Sequence, residues 1–347
     1  MPADPSARRR SRFWLYAPFA LLGLVAAGWS VLWHVARGKV EQQLDAGLAR
    51  EAAAGRTWTC ADRSIGGYPF RLEVRCASLG LVSSRWGDEV SLKVGPAVLV
   101  AQAWAPGHVI LQATGPLAAT LPGGASADTS WSLFEASLKL KMDGFERLSL
   151  VIDQPVTTLR RPGQPDEVLR SQAFEAHLRP NPQRFAGETA VDLAIETKGT
   201  VLPVLDQLLA DATPADLDIQ ATVSQVPAFR RGFNPDALES WRQAAGDVTV
   251  SRLSLRKGTI RVEAAGRGGL DDMHRPAGNL DASIAGVERI GGIKVGGLTA
   301  GLGAIFGGRQ PAGDASGLTP LPPVVLREGR VFLGPIRLPL QPVAPLY

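Results

Sequence analysis

The sequence predicts a mainly β protein with few helices. An N-terminal transmembrane helix and a stalk precede an antiparallel meander of amphipathic strands that forms a large curved sheet or sandwich. Two observations predict this class. A run of 21 residues without a charged side chain lies near the N-terminus, at residues 13–33. Most of the remaining chain consists of short segments in which apolar and polar residues alternate, separated by turns that contain Gly or Pro.

The uncharged run has the length and the flanks of a membrane span. About 20 apolar residues cross the hydrocarbon core as a helix. Aromatic residues, which prefer the headgroup level, stand at both ends of the run: Phe13, Trp14, Tyr16, Trp29 and Trp33. The first 12 residues carry +3 of the net charge of +4. The positive-inside rule therefore predicts a cytosolic basic tail at residues 1–12, a transmembrane anchor at 13–35 and an exported remainder at 36–347.

A cleaved signal peptide is the alternative interpretation of this segment. Val25-Ala26-Ala27 fits a small-residue cleavage site. The apolar run nevertheless continues to Trp33 and exceeds the usual length of a signal h-region, which favours an uncleaved anchor. Both interpretations export the domain that follows.

The exported part divides into a stalk and one β-rich domain. Val40, Leu44 and Leu48 recur every four residues and predict a helical stalk over residues 36–55. Residues 56–347 form the β-rich domain. None of its loops is long enough to require two domains, although a subdivision near residues 200–215 is compatible with the sequence.

The two cysteines, Cys60 and Cys76, both follow the membrane segment. An even number of cysteines in an oxidising compartment predicts a structural disulfide. Turn residues at 66–69 precede an alternating strand from Phe70 to Cys76. We therefore expect a bridge that closes this hairpin, and two unpaired buried thiols are the alternative.

The cysteine segment also carries a family resemblance. Cys60, the run Ile65-Gly-Gly-Tyr-Pro-Phe-Arg-Leu72 and Cys76, together with Glu328–Pro335, resemble the domain-of-unknown-function 2125 family. The resemblance extends over nearly the whole chain. It implies an exported, membrane-anchored protein of a Gram-negative, alphaproteobacterial cell, with the anchor in the inner membrane and the C-terminal domain in the periplasm, and it implies no activity.

A second, generic resemblance rests on two similar hairpins. Residues 253–266 and 324–335 share a strand–turn–strand plan with a basic residue and Gly near the turn. Such units are similar to those of AsmA-type β-rich envelope proteins. This resemblance implies long sheets that cradle lipid chains, by analogy of fold alone.

Alternation and turn chemistry predict individual elements. Strands are predicted at 90–94, 138–142, 148–152, 174–178, 191–195 and 217–223, and hairpins at 253–262 and 324–333. Asn234-Pro235 predicts the start of a helix that Gly246 ends. A shorter helix is predicted around Pro203–Asp211.

Several classes of function are disfavoured. Beyond the tail the net charge is only +1, so we expect no nucleic-acid partner. The four histidines form no metal-binding spacing, and His177 is expected to be a solvated strand residue. The glycine-rich stretch 291–308 lacks a phosphate-binding pattern and is interpreted as a close-packed element, with a flexible lip of an apolar groove as the alternative. We expect no enzyme, no cofactor and no catalytic or metal-binding residues; an enzyme with an unrecognised active site is the alternative.

The membrane is therefore the partner that the sequence indicates, with lipid as a further candidate and protein partners open. An envelope scaffold requires only an anchor, a stalk and a surface. A lipid-handling protein requires a continuous apolar groove as well, with which alternating strands are compatible. We expect one of these two functions, exerted through an apolar β-sheet surface.

Overall fold

A computed structural model describes residues 13–86, 88–142, 144–209, 211–286, 289–290, 293–294, 317–338 and 340–347. The basic tail at residues 1–12 lies outside the described residues. So does the glycine-rich stretch 291–308, apart from residues 293–294.

The predicted span and stalk form one helix, α1 (Phe13–Ala53), which continues unbroken through Pro18 and the candidate cleavage site. Most side chains between residues 14 and 28 are exposed. Among the described residues, this is the one helix that is long and apolar enough to cross a membrane. Its second half packs against the domain, where Glu51 pairs with Arg56 at 2.5 Å and Asp45 with Arg63 at 2.7 Å.

In the part of the chain that the structure describes, the strands form two main antiparallel sheets, which we call the small sheet and the large sheet. The small sheet has seven strands in the order β1 (Arg56–Ala61), β4 (Ser78–Trp86), β5 (Asp88–Val94), β8 (Leu117–Thr120), β9 (Ser126–Ser130), β12 (Val156–Arg160) and β13 (Glu167–Arg170). The mainly β, antiparallel class predicted from the sequence is confirmed.

The large sheet has 16 strands. Its order is β2 (Ser64–Gly66), β3 (Arg71–Cys76), β6 (Ala97–Gln102), β7 (Ala105–Ala113), β10 (Leu133–Lys141), β11 (Gly144–Asp153), β14 (Ala173–Pro180), β15 (Val191–Thr200), β16 (Ala215–Val223), β17 (Val248–Lys257), β18 (Ile260–Leu270), β19 (Pro276–Ala285), β23 (Val324–Arg327), β24 (Arg330–Leu333) and β25 (Ile336–Arg337), with β22 (Thr319–Pro320) also beside β19. A separate pair consists of β20 (Arg289–Ile290) and β21 (Ile293–Lys294).

The two sheets meet along a line that we call the crease, formed by the short links between their strands up to β14. The chain crosses it repeatedly, because β2–β3, β6–β7 and β10–β11 lie in the large sheet and the intervening pairs lie in the small one. Backbone hydrogen bonds continue across the links, from Ala77 to Ala61 at 2.8 Å and from Thr114 to Pro96 at 2.8 Å. The sheets are therefore joined by hydrogen bonds along their common border.

The Sγ atoms of Cys60 and Cys76 lie at disulfide-bonding distance across the crease, 1.94 Å apart. Cys60 belongs to β1 of the small sheet, and Cys76 ends β3 of the large sheet. The expected hairpin forms between β2 and β3 alone, so the cysteine pair links two sheets and does not close that hairpin. Because Cys76 shares a face with Val74, and Cys60 shares a face with Trp58, these two faces lie on the same side of the crease.

We expect loss of this link to lower the free energy of unfolding by about 3 kcal/mol, the loop-closure value for a loop of this length. The Cys60→Ala/Cys76→Ala double variant should show this loss in denaturant unfolding of the detergent-solubilised chain, and a reductant should then have no further effect. Non-reducing mass spectrometry of the parent protein should recover the linked peptides. Thiols that are alkylated in freshly lysed cells would contradict the prediction.

The helices of the domain are short: α2 (Phe185–Glu188), α3 (Pro203–Leu209) and α4 (Pro235–Gln243), with 3-10 segments at Pro122–Gly124 and Val226–Arg231. Both predicted helices are present. Asn234 caps α4, because its side-chain oxygen accepts a hydrogen bond from the Ala237 amide at 3.0 Å. α3 lies between β15 and β16, which pair directly, so the large sheet continues across residues 200–215.

Both predicted hairpins are confirmed, as β17–β18 and β23–β24. Gly258 and Gly329 lie in their turns with φ of +55° and +70°, a region that glycine adopts without a steric cost.

Candidate functional site

One face of the large sheet carries a continuous row of apolar residues, which we call the apolar ladder. Directly paired residues in antiparallel strands point to the same side of a sheet. Following these pairs across eleven neighbouring strands gives Val74, Leu99, Leu111, Ala136, Leu150, Ala176, Ile195, Ile219, Leu253, Ala264 and Ala282. At a strand spacing of about 4.8 Å, the row is about 48 Å long.

The opposite face of the same strands is polar. A parallel row on that side consists of Gln112, Glu135, Val151, Glu175, Glu196, Asp218, Ser254, Glu263 and Ser283. Eight of these nine residues are polar or charged. The sheet therefore has one face suited to water and one suited to apolar contacts.

The apolar face is only half covered. Val74 is the one buried member of the ladder, and the others are half-buried, as strand neighbours alone would leave them. Leu148, on the same face as Leu150, is 38 % exposed. Among the described residues, 14 hydrophobic residues are buried, and five of these are alanines. A second layer packed on the ladder would bury its large side chains, and the burial of the described residues does not show one.

At one end of this face, α4 and the preceding 3-10 segment cover a cavity of about 450 Å³. Phe229, Leu238 and Trp241 line its roof. The floor lies on the ladder side of the sheet and includes the paired Gly268 and Gly278, which have no side chain to fill the space beneath the roof. The volume falls in the range of small-molecule sites, and the lining is almost entirely apolar.

A buried polar network holds α4 on the sheet. The Trp241 indole donates a hydrogen bond to the Ser224 carbonyl oxygen at 2.7 Å. The Ser224 hydroxyl donates to the Asp247 carboxylate at 2.5 Å, and Arg184 and Arg267 pair with that carboxylate at 3.1 and 3.0 Å. Burial alone would raise the pKa of Asp247. The hydrogen bonds from Ser224 and Thr249 and the charges of both arginines outweigh burial, so that its pKa lies below the ordinary value.

The C-terminal segment closes over the same end. Leu346 lines the cavity, and its amide donates to the His274 carbonyl oxygen at 3.0 Å. The Tyr347 hydroxyl donates to Glu239 of α4 at 2.9 Å, and its ring stacks on His274 with centroids 4.4 Å apart. Hydrogen bonds from Arg242, Tyr347 and Gln243 lower the pKa of Glu239 to about 2.

At the other end of β17, α3 covers a buried lysine. Lys257 is 1 % exposed and lies on the same face as Leu253 and Leu255. Its ammonium group pairs with Asp206 of α3 and donates to the Thr213 carbonyl oxygen at 2.5 Å. α3 and α4 therefore mark the two ends of the apolar face on this strand, with Leu253 and Leu255 between them.

His177, the histidine that the sequence analysis singled out, lies apart from this face. His177 lies on the polar side, directly paired with Ser149, and its Nε2 atom is 3.4 Å from Glu175. Within the described residues, no group of three or more His, Cys, Asp or Glu side chains is placed to hold a metal ion. The cysteine pair is structural in position, since it joins the two sheets.

The cavity was not anticipated from the sequence. Only one of its parts was predicted, the helix that Asn234 caps; the closely spaced Gly268 and Gly269 and the late Leu326 and Leu346 were not connected with it. Nothing in their spacing indicates that they converge, because the strands that carry them are paired through the tertiary structure.

A family model with the description "Uncharacterized protein conserved in bacteria" (DUF2125) matches residues 33–341, which is most of the chain. No curated protein and no solved structure matches it. The resemblance to AsmA-type proteins is not among these findings and stays a prediction.

Proposed function

We propose that this chain, which belongs to the DUF2125 family of uncharacterized bacterial proteins, is a lipid-handling protein of the inner membrane. Two features support the proposal: the helix α1, which is long and apolar enough to cross a membrane, and the half-covered apolar face. In this proposal α1 crosses the membrane once, the β-rich domain lies in the periplasm, and the apolar ladder binds the acyl chains of lipids. The role is one of binding and not of catalysis.

The form of α1 supports the anchor. Trp14, Leu22 and Leu24 are 82 %, 67 % and 72 % exposed, which suits lipid contact and is costly in water. The helix runs through Val25–Ala27 without interruption, which favours an anchor over a cleaved signal. The arginines before the span favour a cytosolic N-terminus, and the paired cysteines agree with an oxidising compartment on the other side.

The apolar ladder carries the proposal. An apolar face of this length, left half-exposed, is tolerated in an aqueous compartment when a ligand or a partner covers it. Acyl chains suit it because the row is long, narrow and free of charge from Val74 to Ala282. An envelope scaffold requires no such face, so it is the outcome that remains if lipid is absent.

Site-specific photo-crosslinking of the full chain in its native membrane tests the proposal. A photoreactive phenylalanine at Ile195, on the ladder, should capture labelled phospholipid. The same residue at Glu196, the next position on the polar face of β15, is the matched control and should capture little. The pair Leu138 and Lys139 on β10 repeats the comparison at a second strand.

Equal capture at both faces would show nonspecific contact and count against the proposal. Protein adducts at Ile195 in place of lipid adducts would favour a scaffold whose apolar face is covered by a partner. A second variant adds a charge to the face, Ile195→Asp. If the face is an open groove, this variant should stay folded and lose lipid, whereas a packed core would lose several kcal/mol of stability on gaining an unpaired buried charge.

A further inference from the structure

The hairpin turns at one edge of the large sheet, the edge formed by strand ends and not by an outer strand, carry exposed large hydrophobic side chains. Tyr68, Phe70 and Trp104 are 53 %, 61 % and 65 % exposed, and Met142 is fully exposed. Tyr68 and Phe70 lie in the turn between β2 and β3, Trp104 between β6 and β7, and Met142 between β10 and β11. We call these four residues the hairpin rim.

The strand register places the rim along a single edge. Arg71 at the start of β3 pairs with Gln102 at the end of β6, and Gln102 pairs with Ala105 at the start of β7. The pairing of β7 with β10 begins at His108 and Lys139, so the β10–β11 turn lies beside the β6–β7 turn. The Ala103 amide also donates to the Phe70 carbonyl oxygen at 2.9 Å, and the Phe70 and Trp104 rings are 6.4 Å apart.

The same edge is fastened to α1 where the apolar run ends. The indoles of Trp29 and Trp33 donate to the carbonyl oxygens of Pro69 and Arg71, at 2.8 and 3.0 Å. The Tyr68 hydroxyl shares a hydrogen bond with Ser30 at 2.8 Å, and its ring packs edge-on against Trp33 at 5.4 Å. A span that begins near residue 13 crosses the hydrocarbon core in about 20 residues and therefore leaves it close to Trp33. The contacts hold the rim beside this part of α1.

Resting on the proposed membrane anchor, we propose that the hairpin rim docks on the bilayer that α1 crosses, with Tyr68, Phe70, Trp104 and Met142 inserted at the headgroup level. Aromatic side chains are favoured at this depth, because their rings combine an apolar body with a polar or polarisable edge. Arg71 and Lys141 flank the rim with side chains 58 % and 61 % exposed, and they form ion pairs with Glu73 and, at 3.4 Å, with Glu146. Because both cations already have acidic partners, the docking rests on the four large hydrophobic side chains of the rim.

Depth measurements on the full chain in phospholipid vesicles test the proposal. Nitroxide labels are attached in turn to Trp104→Cys, Met142→Cys, Gln164→Cys and Leu22→Cys. Leu22 reports the middle of the anchor, and Gln164, in the exposed turn between β12 and β13 of the small sheet, is the aqueous control. Relaxation by oxygen, which concentrates in the bilayer, is compared with relaxation by a water-soluble nickel chelate.

We expect the ratio of oxygen to chelate accessibility at positions 104 and 142 to be several-fold higher than at position 164 and lower than at position 22, as the headgroup level requires. If position 22 lies in the bilayer while 104 and 142 behave like 164, the rim does not dock, and the proposed anchor and lipid face are unaffected. If position 22 itself is accessible to the chelate, the anchor is wrong, and the docking proposal is overturned with it.

Discussion

The free energy of unfolding of the Asp206→Ala variant should be about 3 to 5 kcal/mol lower than that of the parent protein, because the substitution leaves the buried charge of Lys257 without its carboxylate partner. The Lys257 side chain is 0 % exposed and that of Asp206 15 % exposed. Once Asp206 is removed, the Thr213 carbonyl oxygen and the charge of the nearby Asp211 still act on the ammonium group. We therefore expect a loss near the lower end of the range, measured by denaturant unfolding of the detergent-solubilised chain.

The double variant Asp206→Ala/Lys257→Met is the control for this prediction. Replacing both members of a buried ion pair by apolar residues is often neutral or stabilising, so the second substitution should recover most of the lost stability. A single variant as stable as the parent would contradict the burial of Lys257. A double variant no better than the single would mean that α3 is held by other contacts.

The Trp241→Ala variant should lose about 3 to 5 kcal/mol, the usual cost of removing a large buried aromatic side chain. Trp241 is 5 % exposed, packs beside Phe229 with ring centroids 6.1 Å apart, and donates its indole hydrogen to Ser224. Its loss removes part of the cavity roof and the hydrogen bond that fastens α4. The variant should melt at a lower temperature by near-ultraviolet circular dichroism.

Trp241→Phe separates the two contributions. It keeps most of the apolar packing and removes the indole donor from the buried Ser224 carbonyl oxygen, so it should lose about 1 to 3 kcal/mol, the cost of leaving a buried acceptor without its donor. If Trp241→Ala is as stable as the parent protein, the roof of the cavity does not depend on this side chain. If Trp241→Phe is as damaging as Trp241→Ala, the hydrogen bond to Ser224 contributes more than the packing.

Local patterns were sufficient for the local elements. The uncharged run predicted the helix of the span, Asn234-Pro235 predicted the start of α4, and the glycines at 258 and 329 predicted two hairpins. Each of these depends on residues that are neighbours in the sequence, because helix length, caps and tight turns are set by local backbone chemistry. The alternation of apolar and polar residues also showed that each strand has an apolar side.

These local patterns did not indicate which strands pair with each other, and the site depends on that pairing. Strands as different as β7, with its nearly continuous apolar run, and β12 were not identified, because alternation is weak where both sides of a strand are partly covered. A period of two also does not state which strand pairs with which. The expectation that the cysteine bridge closes the β2–β3 hairpin failed for this reason, since β1 joins the other sheet.

An apolar N-terminal helix, a β-rich domain, a cysteine pair and strands with one apolar side can all be predicted from the order of the amino acids. The alignment of those apolar sides into one ladder, the link between two sheets through the cysteines, and the cover that α3 and α4 give to the ends of the face become visible only in the folded chain. The physical reason is the range of the interactions. Propensity and turn chemistry act within a few residues, whereas pairing joins segments as distant as Gly278 and Leu326 through hydrogen bonds and burial that exist only after the chain has folded.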